Sequence, residues 1–264
     1  MGIFEGRIAL ITGGNSGIGR AAALAFAKEG AKVVVAARRT DQGEGTAHEI
    51  TQAGGDCTFI RADVSKPEEV EELVTKTVTT YGRIDCAFNN AAIEGGMKLL
   101  TDFTEEEFDN IINVNLRGVW LCLKHEIQQM LRQEPAGGAI VNTSSVNGLG
   151  GVGQGSLYAT TKAGVLALTK SAAQEFAQQG IRINALVAGA FRTPMLERVF
   201  DHVSQGNVEA ATAAEAQYSQ MIPIRRIGRP EEAAEAAVWL CSDAASYITG
   251  HSMIVDGGLT AWAR

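Results

Sequence analysis

Proline is scarce in this 264-residue chain, five residues in all, and its four cysteines (Cys57, Cys86, Cys122, Cys241) stand far apart with no Cys-x-x-Cys pair. That excludes a disulfide scaffold and predicts free, buried thiols. The four histidines (His48, His125, His202, His251) show no ligand spacing, so no catalytic metal is expected. A basic excess is also missing. The 23 Lys and Arg are outnumbered by 30 Asp and Glu, for a net charge of -7, which leaves no field to hold a nucleic acid. No apolar run approaches the roughly 20 residues of a membrane span. The opening MGIFEGRIALITGG has no charged n-region ahead of a long apolar core and cleavage site, so a cytoplasmic location is expected.

Glycine, by contrast, is abundant at 30 residues, and with so little proline the glycines mark tight places in a structured chain. There is no internal repeat and no composition break, so the expectation is one domain over residues 1–264.

Short β-branched runs alternate with amphipathic stretches. Strands are predicted at 7–12, 32–37, 57–62, 84–88, 139–144 and 181–188, with a last one in SMIVDGG. Helices are predicted at about 17–29, 41–53, from Ser65 to Gly82 with Ser65 as cap and Pro67 in the first turn, then within 104–133, at 156–178 and at 230–242. Repeated βαβ units of this kind make an α/β fold, a doubly wound seven-stranded parallel sheet with helices on both faces. Ligands bind such sheets beyond the carboxyl ends of the strands.

Two groups of residues gather at that edge. After strand 1 stands Thr12-Gly13-Gly14-Asn15-Ser16-Gly17-Ile18-Gly19, opening the first helix. Glycines 13, 17 and 19 permit a sharp turn and close approach of backbone to a diphosphate, with helix N–H groups facing the anion. Strand 2 ends at Arg38-Arg39, with no carboxylate where one would grip a ribose 2'-hydroxyl. Forked guanidinium donors suit a 2'-phosphate, so NADP(H) is expected over NAD(H), the other reading being two solvated arginines. Asp63-Val64 and Asn89-Asn90-Ala91 follow strands 3 and 4, where adenine and its ribose would lie, although each could be an ordinary polar turn.

The second group is chemical. Tyr158 and Lys162 in Tyr-Ala-Thr-Thr-Lys share a helix face, and an ammonium beside a phenol favours the phenolate. Ser145, at the end of strand 5, can donate to a carbonyl oxygen, and Ser144 beside it can cap or bond backbone. Asn115 falls inside a predicted helix where Asn is a poor former, so it either holds a water or serves the core with hydrogen bonds.

Together TGGNSGIG, DV, NNAA, NVN, Ser145, YATTK and VDGG resemble the short-chain dehydrogenase/reductase family, in its single-domain oxidoreductase branch, along essentially the whole chain. The resemblance implies strand order 3-2-1-4-5-6-7 and hydride transfer between a nicotinamide and a ketone or secondary alcohol. In that reading Tyr158 is the general acid or base, Lys162 bonds the nicotinamide ribose and lowers the tyrosine pKa, Ser145 holds the substrate oxygen, and Asn115 keeps a relay water. Gly189, Phe191 and Thr193 would seat the nicotinamide. The chain departs from the family at Ala92 and in Val187-Ala188-Gly189. The resemblance further implies a homotetramer or dimer through 104–133 and 155–178.

Segment 191–222 mixes Phe191, Met195, Leu196, Val199, Phe200 and Met221 with charged residues, as a substrate lid or a surface helical hairpin would. The leading expectation is a carbonyl reductase, equally an alcohol dehydrogenase. A 3-oxoacyl thioester reductase is the alternative, although Ile93-Glu94-Gly95-Gly96 is unlike the loop of those enzymes, and a non-catalytic nucleotide-binding sensor is the rival of another class.

Overall fold

Every residue of β1 (Ile8–Thr12) is buried, as a central strand covered by helices on both faces must be. A computed structural model describes residues 2–261. Around β1 the strands β2 (Lys32–Ala37), β3 (Cys57–Arg61), β4 (Cys86–Asn89), β5 (Gly138–Ser145), β6 (Ile181–Ala188) and β7 (Ser252–Val255) pair in parallel in the order 3-2-1-4-5-6-7. The order matches expectation, and it puts the chain reversal between β1 and β4.

Alternate residues of each strand serve opposite faces. Ala9, Ile11, Val33, Val35, Phe88 and Val141 pack under α1 (Gly17–Lys28) and α9 (Pro230–Cys241). Their neighbours Leu10, Val34, Ala87 and Ile140 pack under α3 (Pro67–Tyr81), α5 (Gly118–Arg132) and α6 (Ser156–Phe176). Helices α2 (Thr40–Gln52), α4 (Glu105–Ile112), α7 (Pro194–Val203) and α8 (Val208–Met221) complete the set. Among the described residues no helix is long and apolar enough to cross a membrane.

Three departures from the periodicity exceed a single residue at a strand or helix end. Strand β4 starts two residues late, because the Gln133 side-chain amide accepts from the Ile84 N–H at 3.1 Å and donates to its carbonyl at 2.8 Å. Both backbone groups of Ile84 are thereby satisfied outside the ladder. Ser65 does not cap α3; Lys66 holds that position, while the Ser65 hydroxyl donates to Asp63 at 2.8 Å. Pro67 does open the helix. The helical stretch 104–133 divides into α4, a π-helical turn at Asn113–Arg117, and α5. Segment 191–222 folds into α7 and α8, which meet through Phe200 and Tyr218 edge to face at 6.1 Å.

Between β4, β5, α5 and α6 lies a buried polar chain. Asn89 donates to Glu126 at 2.9 Å and to Asn142 at 3.1 Å, and Asn142 donates to Thr169 at 3.0 Å. Glu126 is 1% exposed. Burial pushes its carboxyl from 4.5 up to about 7, against the opposing pull of the Asn89 hydrogen bond. Since the native carboxyl binds its proton more tightly than the unfolded one, stability from this site falls as pH rises from about 4.5 to about 7. Glu126→Gln keeps an acceptor for Asn89 and removes the ionisation. Urea unfolding should therefore show the variant gaining on the parent chain by roughly 3 kcal/mol between those pH limits, and a pH-independent difference would refute the assignment.

Candidate active site

The nucleotide end is built by close backbone approach. Gly13 sits at φ +66°, and a Cβ there would stand 2.9 Å from the Ala91 Cα. A Cβ at Gly19 would run into the Gly13 carbonyl oxygen. Only glycine lets the turn after β1, the start of α1 and the loop after β4 nest this tightly. Gly17 opens α1 and lies against Thr193. Ser16 holds the N-cap position without a side-chain cap bond, and no acid stands in the first turn of the 12-residue helix. The first N–H groups of α1 thus face the strand edge with no side-chain acceptor from the cap, and the helix dipole adds positive potential there.

Beside this turn Asn15 lies against Gln42 and the Arg39 guanidinium, and Arg39 donates to the Ser16 hydroxyl at 3.3 Å. Arg38 stands 3.8 Å from Asp63. Burial pushes the Asp63 carboxyl up, but the Ser65 N–H at 3.0 Å and hydroxyl at 2.8 Å, with the charges of Arg38 and Lys66, outweigh it and hold the group below its ordinary value. Not every predicted nucleotide residue offers its side chain. Val64 packs with Val114, Leu121 and Cys122, the Asn89 amide is committed to Glu126 and Asn142, and Phe191 is buried against Gly228. Ile18 packs on the core. These positions have their backbone alone to present. Gly189 bonds Val255 at 2.9 Å, with no room for a Cβ beside Asp256. Thr193 caps α7 by accepting from the Leu196 N–H at 3.3 Å.

The chemical end gathers on the carboxyl end of β5 and the first turns of α6. Ser144 faces inward and donates to the Lys162 carbonyl at 2.7 Å. Ser145 accepts from the Asn147 N–H at 3.2 Å and favours ionisation of the Tyr158 phenol. One helical turn on, the Lys162 ammonium is 1% exposed, donates to the Thr143 carbonyl at 2.8 Å and lies 5.5 Å from the Tyr158 ring centre.

Burial pushes Lys162 down to about 8. Burial also pushes Tyr158 up to about 12, with Ser145 opposing that rise and the Glu94 charge adding to it. Among the protein's own groups desolvation dominates at the phenol, and the Lys162 ammonium donates to Thr143.

Asn115, in the π-helical turn, uses its side chain for structure. It accepts from the Ile93 N–H and donates to the Ile93 carbonyl, both at 2.8 Å, with Thr161 at 3.5 Å. Of its two readings the core one describes the side chain, and such turns are frequent at functional sites. Sequence reasoning left out Thr143, which acts through its backbone carbonyl, and Glu94, a lone acid in a glycine-rich loop. Among the described residues no three or more His, Cys, Asp or Glu come together as metal ligands.

Residues 13–260 match the family model described as enoyl-(acyl carrier protein) reductase. The chain is 40% identical over 261 residues to a 2,5-dichloro-2,5-cyclohexadiene-1,4-diol dehydrogenase of Sphingobium indicum, covering 99% of this chain and 100% of that one. Levodione reductase of Leifsonia aquatica is 40% identical over 260 residues, 98% of this chain and 96% of the relative. The crystal structure of levodione reductase superposes with TM-score 0.93 at 39% identity over 98% of this chain and 100% of that chain. The chain belongs to the short-chain dehydrogenase/reductase family.

Members of this family bind a nicotinamide cofactor, and the protein is an oxidoreductase acting between carbonyl and secondary alcohol. An actinorhodin polyketide ketoreductase solved with NADPH superposes with TM-score 0.92 at 33% identity, over 97% of this chain and 98% of that one. The residues present fit such a group: the glycine cradle admits a diphosphate, and the α1 N–H groups meet its charge.

The Asn115 clamp has a measurable weight. Asn115→Ala strips both backbone partners from Ile93, and urea unfolding should show a loss of about 2 to 3 kcal/mol. Amide exchange should quicken at residues 93–98; an unchanged midpoint would mean that the clamp contributes nothing.

Proposed function

We propose that the protein is an NADP(H)-dependent carbonyl reductase, equally a secondary-alcohol dehydrogenase in the reverse direction, acting on uncharged cyclic ketones. The observation that carries this reading is the Lys162 ammonium 5.5 Å from the Tyr158 ring centre, with Lys162 held to the carboxyl end of β5 next to Ser145 by Thr143 and Ser144. A nicotinamide, when bound, supplies or accepts the hydride at the carbonyl carbon.

This chain's residues handle the oxygen. Ser145 donates a hydrogen bond to it and draws negative charge onto it as the C–H bond forms. Tyr158, kept protonated by its high pKa, passes its proton to the same oxygen and completes the alcohol. In oxidation the proton moves back to the phenolate oxygen. Lys162, held by Thr143, anchors α6 against β5 and keeps the phenol over Ser145.

The preference for ring ketones draws on the printed names of two relatives, a cyclohexadienediol dehydrogenase and levodione reductase. Helices α7 and α8, carrying Thr193 against Gly17, would act as the lid. A groove between α5 and α6 lined by Ile112, Leu116, Trp120 and Leu168 suits a second copy of the chain in a homodimer or tetramer.

Two measurements test the reading. Tyr158→Phe should cut turnover by about a thousandfold while NADPH binding, followed by its fluorescence, stays within about threefold; retained turnover would remove Tyr158 from the chemistry. For the cofactor, kcat/KM with NADPH should exceed that with NADH by about tenfold or more, and Arg38→Asp should narrow or invert the ratio. A parent chain preferring NADH would make the arginines ordinary surface groups.

A further inference from the structure

One residue below the chemistry, the sheet carries a buried polar row that the hydride reaction does not touch. Thr12, Asn89 and Asn142 stand in register across β1, β4 and β5. The residues that follow them are Gly13 and Asn90, bonded to each other in the nucleotide turn, and Thr143, whose carbonyl holds the Lys162 ammonium. Whatever fixes the lower row sets the base on which the upper one stands.

The fixing group comes from outside the sheet. Glu126, on α5, accepts from the Asn89 amide at 2.9 Å, and the same amide nitrogen donates to Asn142 at 3.1 Å. Asn142 donates in turn to the Thr169 hydroxyl at 3.0 Å, whose own proton goes to the Val165 carbonyl at 2.8 Å. Each group decides the orientation of the next. Since Glu126 and Asn142 both accept from Asn89, the Asn142 nitrogen is turned to Thr169, and reversing either amide would set like groups face to face.

The chain ends on α6, where Thr169 and Lys162 are seven residues apart and share a helix face. Their partners, Asn142 and Thr143, are consecutive residues of β5. Ser144 adds a second tie at Lys162, but ties at one point leave a helix free to rock about it. The Thr169 bond supplies the second point, two turns further along.

Stability alone does not call for a carboxyl at this place. An apolar side chain of similar volume would surrender no water, whereas Glu126 is almost fully buried, with the Asn89 amide as partner and, among the described residues, no ion pair. A polar group retained under those conditions suits a part that selects one arrangement among several of similar energy.

We infer that Glu126 is a positioning residue for the hydride reaction: through Asn89, Asn142 and Thr169 it fixes the seat of α6 on β5, and with it the places of Lys162 and Tyr158. It touches neither substrate nor cofactor. The inference rests on the carbonyl-reductase reading and adds a remote support to its chemical group.

Single-turnover reduction of cyclohexanone or cyclohexane-1,4-dione, whichever the parent chain reduces faster, tests it through the loss of NADPH absorbance. The assay runs at about pH 6, where the Glu126 carboxyl largely holds its proton. The parent chain, Glu126→Gln, Glu126→Leu and Thr169→Val are compared at a temperature where urea unfolding shows each to be folded, with NADPH affinity followed by fluorescence. Glu126→Gln keeps an acceptor for Asn89, and its rate should stay within about twofold of the parent's. Glu126→Leu leaves an Asn89 N–H unmet and Thr169→Val an Asn142 N–H; each should slow hydride transfer about tenfold while NADPH affinity stays within about threefold. Where Glu126→Leu does not fold, Thr169→Val carries the test from the other end of the chain. A rate retained in either folded variant, a Glu126→Gln rate as slow as that of Glu126→Leu, or a loss of NADPH affinity as large as the loss of rate overturns the inference and leaves the carbonyl-reductase reading standing. A parent chain inert toward both ketones overturns that reading and the inference with it.

Discussion

The chemical end of the molecule depends on one buried ammonium. Lys162 has surrendered its water, which for an ion costs several kcal/mol, and among the described residues its one acceptor is the Thr143 carbonyl at 2.8 Å. That bond ties α6 to the carboxyl end of β5. The Ser144 hydroxyl, donating to the Lys162 carbonyl at 2.7 Å, ties them a second time. Two attachments at one residue leave α6 little freedom to slide, and so Tyr158, four residues earlier, is carried to a fixed place over Ser145. The descent of Lys162 to about 8 records the cost of this arrangement.

The nucleotide end follows the opposite electrostatic rule. Its charges are exposed and weakly engaged: the Arg38 side chain is 57% exposed and reaches Asp63 only at 3.8 Å. An exposed pair of that length contributes well under about 1 kcal/mol. Exchanging it for a phosphate therefore loses little and gains a forked, charge-assisted contact. Affinity for a polyanion can reside in such reversible contacts, whereas proton transfer needs groups whose positions are fixed before the substrate arrives.

What the sequence disclosed and what it hid divide by range. The strands 32–37 and 181–188 coincide with β2 and β6, because continuous β-branched runs bounded by glycine or charge settle those limits locally. The glycine turn and the Tyr158–Lys162 spacing were legible for the same reason. The start of β4 was not, since it is set by Gln133, 49 residues away. Likewise nothing near Ser65 announces that Asp63 will take its hydroxyl, because that choice depends on how β3 leaves the sheet. The desolvation of Tyr158 was hidden too, because charge spacing along a helix is visible in sequence whereas desolvation belongs to the assembled fold.

Asn115 shows which of the two tasks open to it in the sequence its side chain takes up, hydrogen bonding within the fold. A π-helical turn at Asn113–Arg117 inserts one residue's worth of extra rotation between α4 and α5, and it is this local irregularity that turns the Asn115 amide toward Ile93. The same amide nitrogen lies 3.5 Å from Thr161, which itself donates to the Tyr158 carbonyl at 2.8 Å. One side chain therefore stands between the loop that presents Glu94 and the turn of α6 that presents Tyr158. The spacing between the loop after β4 and the first turns of α6 is thus set through this amide. Because the two parts share a support, a change in the loop after β4 reaches the tyrosine through the Asn115 amide as well as through the charge of Glu94.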